Sequence, residues 1–190
     1  MDTNALKIWR RSERKRLLAL RLAMSAAARR SAGRAIAERV YAALKARPGI
    51  TVGVYSPFQG EFDPRPLTEQ LIAAGWGAAL PAVVDRKGPL EYRRWRPGEP
   101  LVAGVWDIPV PERREIAVPD AVLAPLVGFD RQCYRLGYGG GYFDRTLAAM
   151  TPRPLAIGVG FELSLIETIY PQAFDVPMDL VVTEAALRSR

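Results

Sequence analysis

Apolar residues recur every four positions at Ile36, Val40 and Leu44, within a proline-free stretch rich in Ala, Leu and Arg that covers residues 5–47. That spacing puts them on one side of a helix and predicts a core-facing stripe. A break near Ser25 divides the stretch into two helices, since a serine oxygen can accept from an unpaired backbone N–H at a helix start. In the first of the two, Leu17, Leu18, Leu20, Leu22 and Met24 are too dense for a clean stripe.

Downstream the pattern changes to short β-rich runs at residues 50–55, 76–80, 90–95, 121–127, 155–159 and 180–182. The run 121–127 is almost wholly apolar, as expected of a strand covered on both faces. Asp63 followed by Pro64 suits an N-cap and first-turn proline, opening a helix that reaches Ala74 and stops at Gly75. Further helices are expected at 142–150 and 163–169, and the proline-rich stretch 97–119 reads as an irregular excursion. Strands alternating with helices predict a single α/β domain over residues 1–190. Its form is a three-layer α/β/α arrangement with a mostly parallel central sheet, preceded by a basic N-terminal helical segment. Ligands then belong on loops leaving the carboxyl ends of strands.

Charge sharpens this picture. Residues 1–47 hold 13 Lys and Arg against 3 Asp and Glu, a net +10 in a chain whose total is +7. Such a segment can bind nucleic acid, attract a multiply anionic small ligand, or form a solvated helix. No apolar run reaches the roughly 18 residues needed to span a bilayer, and the basic N-terminus is unlike a secretory signal. With Cys133 as the single cysteine, a cytoplasmic location is expected. The chain has no histidine, which excludes histidine triads and histidine-ligated zinc. Carboxylates, cations, backbone amides and an oxygen-bound metal remain, and these suit nucleotide chemistry.

The most distinctive segment is Arg135-Leu136-Gly137-Tyr138-Gly139-Gly140-Gly141-Tyr142-Phe143-Asp144. It is not a dinucleotide fingerprint, because the last required glycine is Tyr142, and not a Walker A loop, because Tyr142-Phe143 follow Gly141. Glycine amides and a helix N-terminus can still cradle an anion, with Arg135 as a planar fork.

This loop, with Gly128-Phe129-Asp130 before it and Arg145 after it, resembles the signature of the 5-formyltetrahydrofolate cyclo-ligase family. The likeness continues in Met24-Ser25, residues 56–61, Leu80-Pro81, Trp106-Asp107-Ile108-Pro109, residues 175–179 and Thr183-Glu184. It implies an enzyme that uses MgATP to convert 5-formyltetrahydrofolate into 5,10-methenyltetrahydrofolate, releasing ADP and phosphate. The resemblance puts ATP contacts on Arg10 and Arg14, and on Arg135, Leu136, Gly137, Tyr138, Gly139, Gly140, Gly141, Tyr142 and Phe143. It puts magnesium on Asp144 and Asp179 and the folate on Glu61; Ser56, Phe58, Trp106 and Tyr142 are candidates to line the pterin slot by their flat or polar faces, and Tyr138, Gly139, Gly140 and Gly141 are candidates to face the substrate as well as ATP. Read without the family, Asp179 fits a surface or N-cap role. Lys7 and Arg11 repeat the Arg10/Arg14 spacing and offer an alternative register. The family loop often has lysine where this chain has Gly140, so Arg135 or Arg145 is expected to supply that charge. The implied partners are small molecules, with neither nucleic acid nor membrane, acting on a monomer. Two other readings stay open: a basic RNA-binding module, and a sugar-phosphate or CoA enzyme of related architecture.

Overall fold

The computed structural model describes residues 2–190. The basic stretch forms two helices, α1 (Thr3–Ala23) and α2 (Ala26–Leu44). Each is capped as its first residues dictate: the Asp2 carboxylate accepts from Ala5 N at 2.8 Å, and Ser25 Oγ from Ala28 N at 3.1 Å. Along α2 the stripe Ala32, Ile36, Val40 and Leu44 is buried, as its spacing predicted.

The strands in chain order are β1 (Thr51–Gly53), β2 (Gly77–Ala82), β3 (Glu91–Arg94), β4 (Leu101–Ala103), β5 (Pro109–Pro111), β6 (Ala121–Pro125), β7 (Gly128–Phe129), β8 (Arg135–Leu136), β9 (Leu155–Val159), β10 (Leu180–Val182) and β11 (Leu187–Ser189). Helix α3 (Arg65–Ala73) follows β1, and α4 (Tyr142–Ala149) follows β8. Seven strands form the central sheet in the order β11-β10-β9-β6-β1-β2-β3. The inner neighbours are parallel, while β3 and β11 are antiparallel edges.

Alternation along the strands builds two cores. Val52, Leu123, Ile157 and Val182 pack with α2 and α3, whereas Val122, Ala124, Ala156 and Val181 face Leu147 of α4. This gives the expected three layers. Helix α1 joins neither layer; Leu17 instead packs with Val127, Leu136 and Ile169 near the carboxyl ends of the strands.

The structure corrects several expectations. Residues 163–169 form no helix beyond the turn Glu162–Ser164, because Ile166 N–H donates to Phe129 O at 2.8 Å and Leu165 bridges Phe129, drawing the chain out beside β7. The stretch 97–119 contains a hairpin, β4 with β5, whose prolines sit at positions facing no ladder partner within the main sheet. Asp63 is not the N-cap expected: Pro64 holds that position without a side-chain bond, the helix starts at Arg65, and Asp63 accepts from Arg65 N at 3.0 Å in a turn just before it. No helix among the described residues is long and apolar enough to cross a membrane.

Candidate active site

A cavity of about 760 Å³ opens at the carboxyl ends of the parallel strands, where Tyr55, Pro81 and Pro125 form its floor. The glycine loop makes one wall, the loop after β1 another, and α1 and the hairpin tip close the sides. Every site residue expected from the sequence lines this cavity except Asp179.

The wall formed by the glycine loop needs its glycines: Gly139 and Gly141 have φ of +101° and +67°, a region that side chains rarely adopt. At Gly140 a Cβ would stand 2.8 Å from the Tyr142 ring, so this ring occupies the space a side chain there would need. Arg14 Nε donates to Gly137 O at 2.7 Å, which holds the loop against α1. Its terminal nitrogens have no hydrogen-bond partner among the described residues. Burial, and then the neighbouring Arg10, push the Arg14 pKa down, so an anionic ligand would relieve an unfavourable cation. Arg10 is more heavily engaged, with Asp175 at 2.6 Å and the carbonyls of Ile169 and Tyr170. Lys7 and Arg11 are exposed and do not line the cavity, whereas Arg10 and Arg14 do.

Arg135 is not the open entrance fork expected. It lies buried beneath the loop, paired with Asp144 at 2.7 Å and stacked on Phe143, and burial lowers its pKa. Arg145 likewise serves the loop: it donates to Gly140 O at 2.8 Å and Gly88 O at 3.1 Å, and lies over the Tyr142 ring. Neither presents a free guanidinium to a phosphate, so Arg14 is the cation available for that charge.

The two acids assigned to magnesium part company. Asp179 is held by Arg153 at 2.7 Å and Ala156 N at 2.8 Å, outside the cavity, where it pins β9 to the end of the segment before β10. Asp144 lines the cavity; Arg135 and Val176 N each take one bond, and a carboxylate has about four lone-pair sites. Among the described residues no group of three or more His, Cys, Asp or Glu is placed to hold a metal. This donor set fits magnesium that arrives on phosphate oxygens, which needs only one or two protein carboxylates and keeps its waters.

Across from the glycine loop, Glu61 is 6% exposed, and burial pushes its pKa up to about 7. Its Oε2 accepts from Phe58 N at 2.8 Å. The Tyr138 hydroxyl, accepting from Arg21 Nη2, is turned toward the same carboxylate. Ser56 Oγ donates to Pro109 O at 3.2 Å and so ties its loop to the hairpin, whose tip carries Trp106 edge-on to Tyr142. Trp106, Phe58 and Tyr138 are exposed large aromatics gathered on one cavity, a concentration that suits a flat ligand. Sequence reasoning missed Arg21. The available signal was its position: seven residues after Arg14, it continues the same helix face.

A parallel sheet with a cavity at its carboxyl edge, a glycine-loop wall and a buried acid opposite defines an α/β enzyme of the small-molecule class. The model of the 5-formyltetrahydrofolate cyclo-ligase family matches residues 6–184, and the chain belongs to that family. The 5-formyltetrahydrofolate cyclo-ligase of Escherichia coli strain K12 is 35% identical over 141 residues, covering 70% of this chain and 77% of that protein. The 5,10-methenyltetrahydrofolate synthetase of Aquifex aeolicus superposes with a TM-score of 0.77 at 30% identity, covering 95% of this chain and 92% of that one. The Mycoplasma pneumoniae synthetase superposes at 0.75 and 26% identity, covering 97% and 99%.

Proposed function

We propose that this chain uses phosphoryl transfer from ATP to drive the cyclisation of 5-formyltetrahydrofolate, giving 5,10-methenyltetrahydrofolate, ADP and phosphate. The observation that carries the reading is that the glycine wall and buried Glu61 face one another across a single cavity, in a chain of the cyclo-ligase family.

Arg14 and Arg10 meet the phosphates, together with the amides of the glycine loop and the N-terminus of α4. Asp144 would hold magnesium, whose bound charge offsets that of the β- and γ-phosphates. Glu61 as a carboxylate accepts the paired N–H donors of the pterin edge, and Trp106, Phe58 and Tyr142 flank the ring with Ser56 nearby. The formyl oxygen attacks the γ-phosphorus and ADP leaves. N10 then adds to the activated carbon and loses its proton, and the former formyl oxygen departs as phosphate. The protein supplies alignment and charge compensation, so no histidine is required.

The test is absorbance detection of methenyltetrahydrofolate from 5-formyltetrahydrofolate with and without ATP and Mg²⁺; absence of ATP-dependent product would refute the reading. Substrate labelled with ¹⁸O in the formyl group should deliver its label to phosphate. The inward turn of Arg10, Arg14 and Arg21 favours an anionic small ligand over RNA as the reason for the basic segment. The fully buried thiol of Cys133 is in keeping with a cytoplasmic location.

A further inference from the structure

We propose that Arg21, which lies outside the cavity, is a positioning residue that fixes Tyr138 beside Glu61 and thereby links the nucleotide wall of the site to the folate wall. The link to folate rests on the reading of Glu61 given above.

Arg21 is 4% exposed, an unusual place for a guanidinium, and each of its nitrogens has a partner. Nε donates to Gln59 O at 3.1 Å in the Glu61 loop, and Nη1 to Leu126 O at 2.9 Å just beyond β6. Nη2 donates to the hydroxyl of Tyr138 in the glycine loop. One side chain therefore fastens three separate segments. The planar fork suits this task, since a lysine could not span three directions with fixed geometry.

Tyr138 is the shared member. Its neighbours Gly137 and Gly139 both lie against Arg14, so movement of the loop toward phosphates moves the tyrosine as well. The groups facing Glu61 are Arg21 from α1, Tyr138 from the glycine loop and Phe58 N from its own loop. Buried Tyr55 also feels the charge of Glu61. Of these, Arg21 alone is cationic, and it favours the carboxylate form that accepts from a pterin.

The experiment follows the Glu61 carboxyl resonance by ¹³C NMR in free protein against pH, for the wild type, Arg21→Gln, Arg21→Lys and Tyr138→Phe. Wild type should titrate near 7. Arg21→Gln should raise the midpoint by about one unit, Tyr138→Phe by less, and Arg21→Lys, which keeps the charge but not the fork, should recover only part of the shift. In turnover assays the Tyr138→Phe variant should also lose the influence of ATP concentration on the folate KM, a coupling of roughly fivefold or more. An unchanged midpoint in folded Arg21→Gln overturns the proposal; if that variant fails to fold, an unchanged midpoint in Tyr138→Phe does the same. Should Glu61→Gln leave the folate KM untouched, the folate reading of Glu61 falls, while the NMR midpoints still decide the role of Arg21.

Discussion

Helices α1 and α2 are neighbours in sequence, nearly equal in length and both rich in arginine, yet they use their faces in opposite ways. Helix α2 buries Ala32, Ile36, Val40 and Leu44 and leaves Arg30 and Arg34 at or near the surface. Helix α1 turns Arg10, Arg14 and Arg21 inward and leaves Ile8, Leu20 and Leu22 exposed. Apolar periodicity identifies the helix that stabilises the sheet. The helix that flanks the cavity carries a periodicity of cations instead, interrupted by the buried Leu6 and Leu17.

Substitutions should separate these two roles. The largest effect is expected for Arg14→Ala, which should lower kcat/KM by about 10²- to 10³-fold while the protein stays folded. Steady-state kinetics against ATP would check this; a loss confined to Tm would remove α1 from the site. In α2, Ile36→Ala should lower unfolding free energy by about 2–4 kcal/mol in urea titrations, with turnover of the folded fraction preserved. Glu61 gives a pH signature opposed to that of an ordinary carboxylate. Its pKa rises from 4.5 to about 7 on folding, so the folded state binds the proton more tightly. Stability is thus highest below the unfolded value and falls as pH climbs through the folded one, by a total of about 3 kcal/mol. Glu61→Gln should flatten this decline in thermal melts at pH 4.5–8; parallel curves for variant and wild type would show that Glu61 is not the cause. The smallest effect belongs to Leu20→Ser on the exposed side of α1, expected within about 0.5 kcal/mol of wild type. A greater loss there would mean that face is covered.

The elements readable in sequence were those whose signal is local. The four-residue stripe of α2, the apolar run that became β6 and the glycine loop each owe their form to neighbours in the chain. The hairpin of β4 and β5 was hidden because its prolines argue against strands, whereas its pairing is decided across five intervening residues by the turn at Trp106. Residues 163–169 carry a helical pattern, but their backbone is claimed by β7. The family resemblance singled out Arg14, Glu61 and Asp144, and all three line the cavity. It did not reveal that Arg135 and Arg145 brace the loop from behind, or that Asp179 is bound to Arg153, since both depend on contacts between distant segments. Arg21 escaped notice because its only signal in sequence is the seven-residue spacing from Arg14, which does not tell a buried arginine from a solvated one.

The placement of Trp106 gives this protein a built-in optical reporter. Trp76 and Trp95 are only 7% and 8% exposed and sit in the core, while Trp106 is 60% exposed at the cavity rim. Trp9 packs edge-on against Tyr170 and does not line the cavity. Emission from the two core indoles should stay constant when a ligand enters, so a change in intensity or wavelength isolates one side chain. Binding of folate could then be titrated without label or turnover, with Trp106→Phe as the dark control.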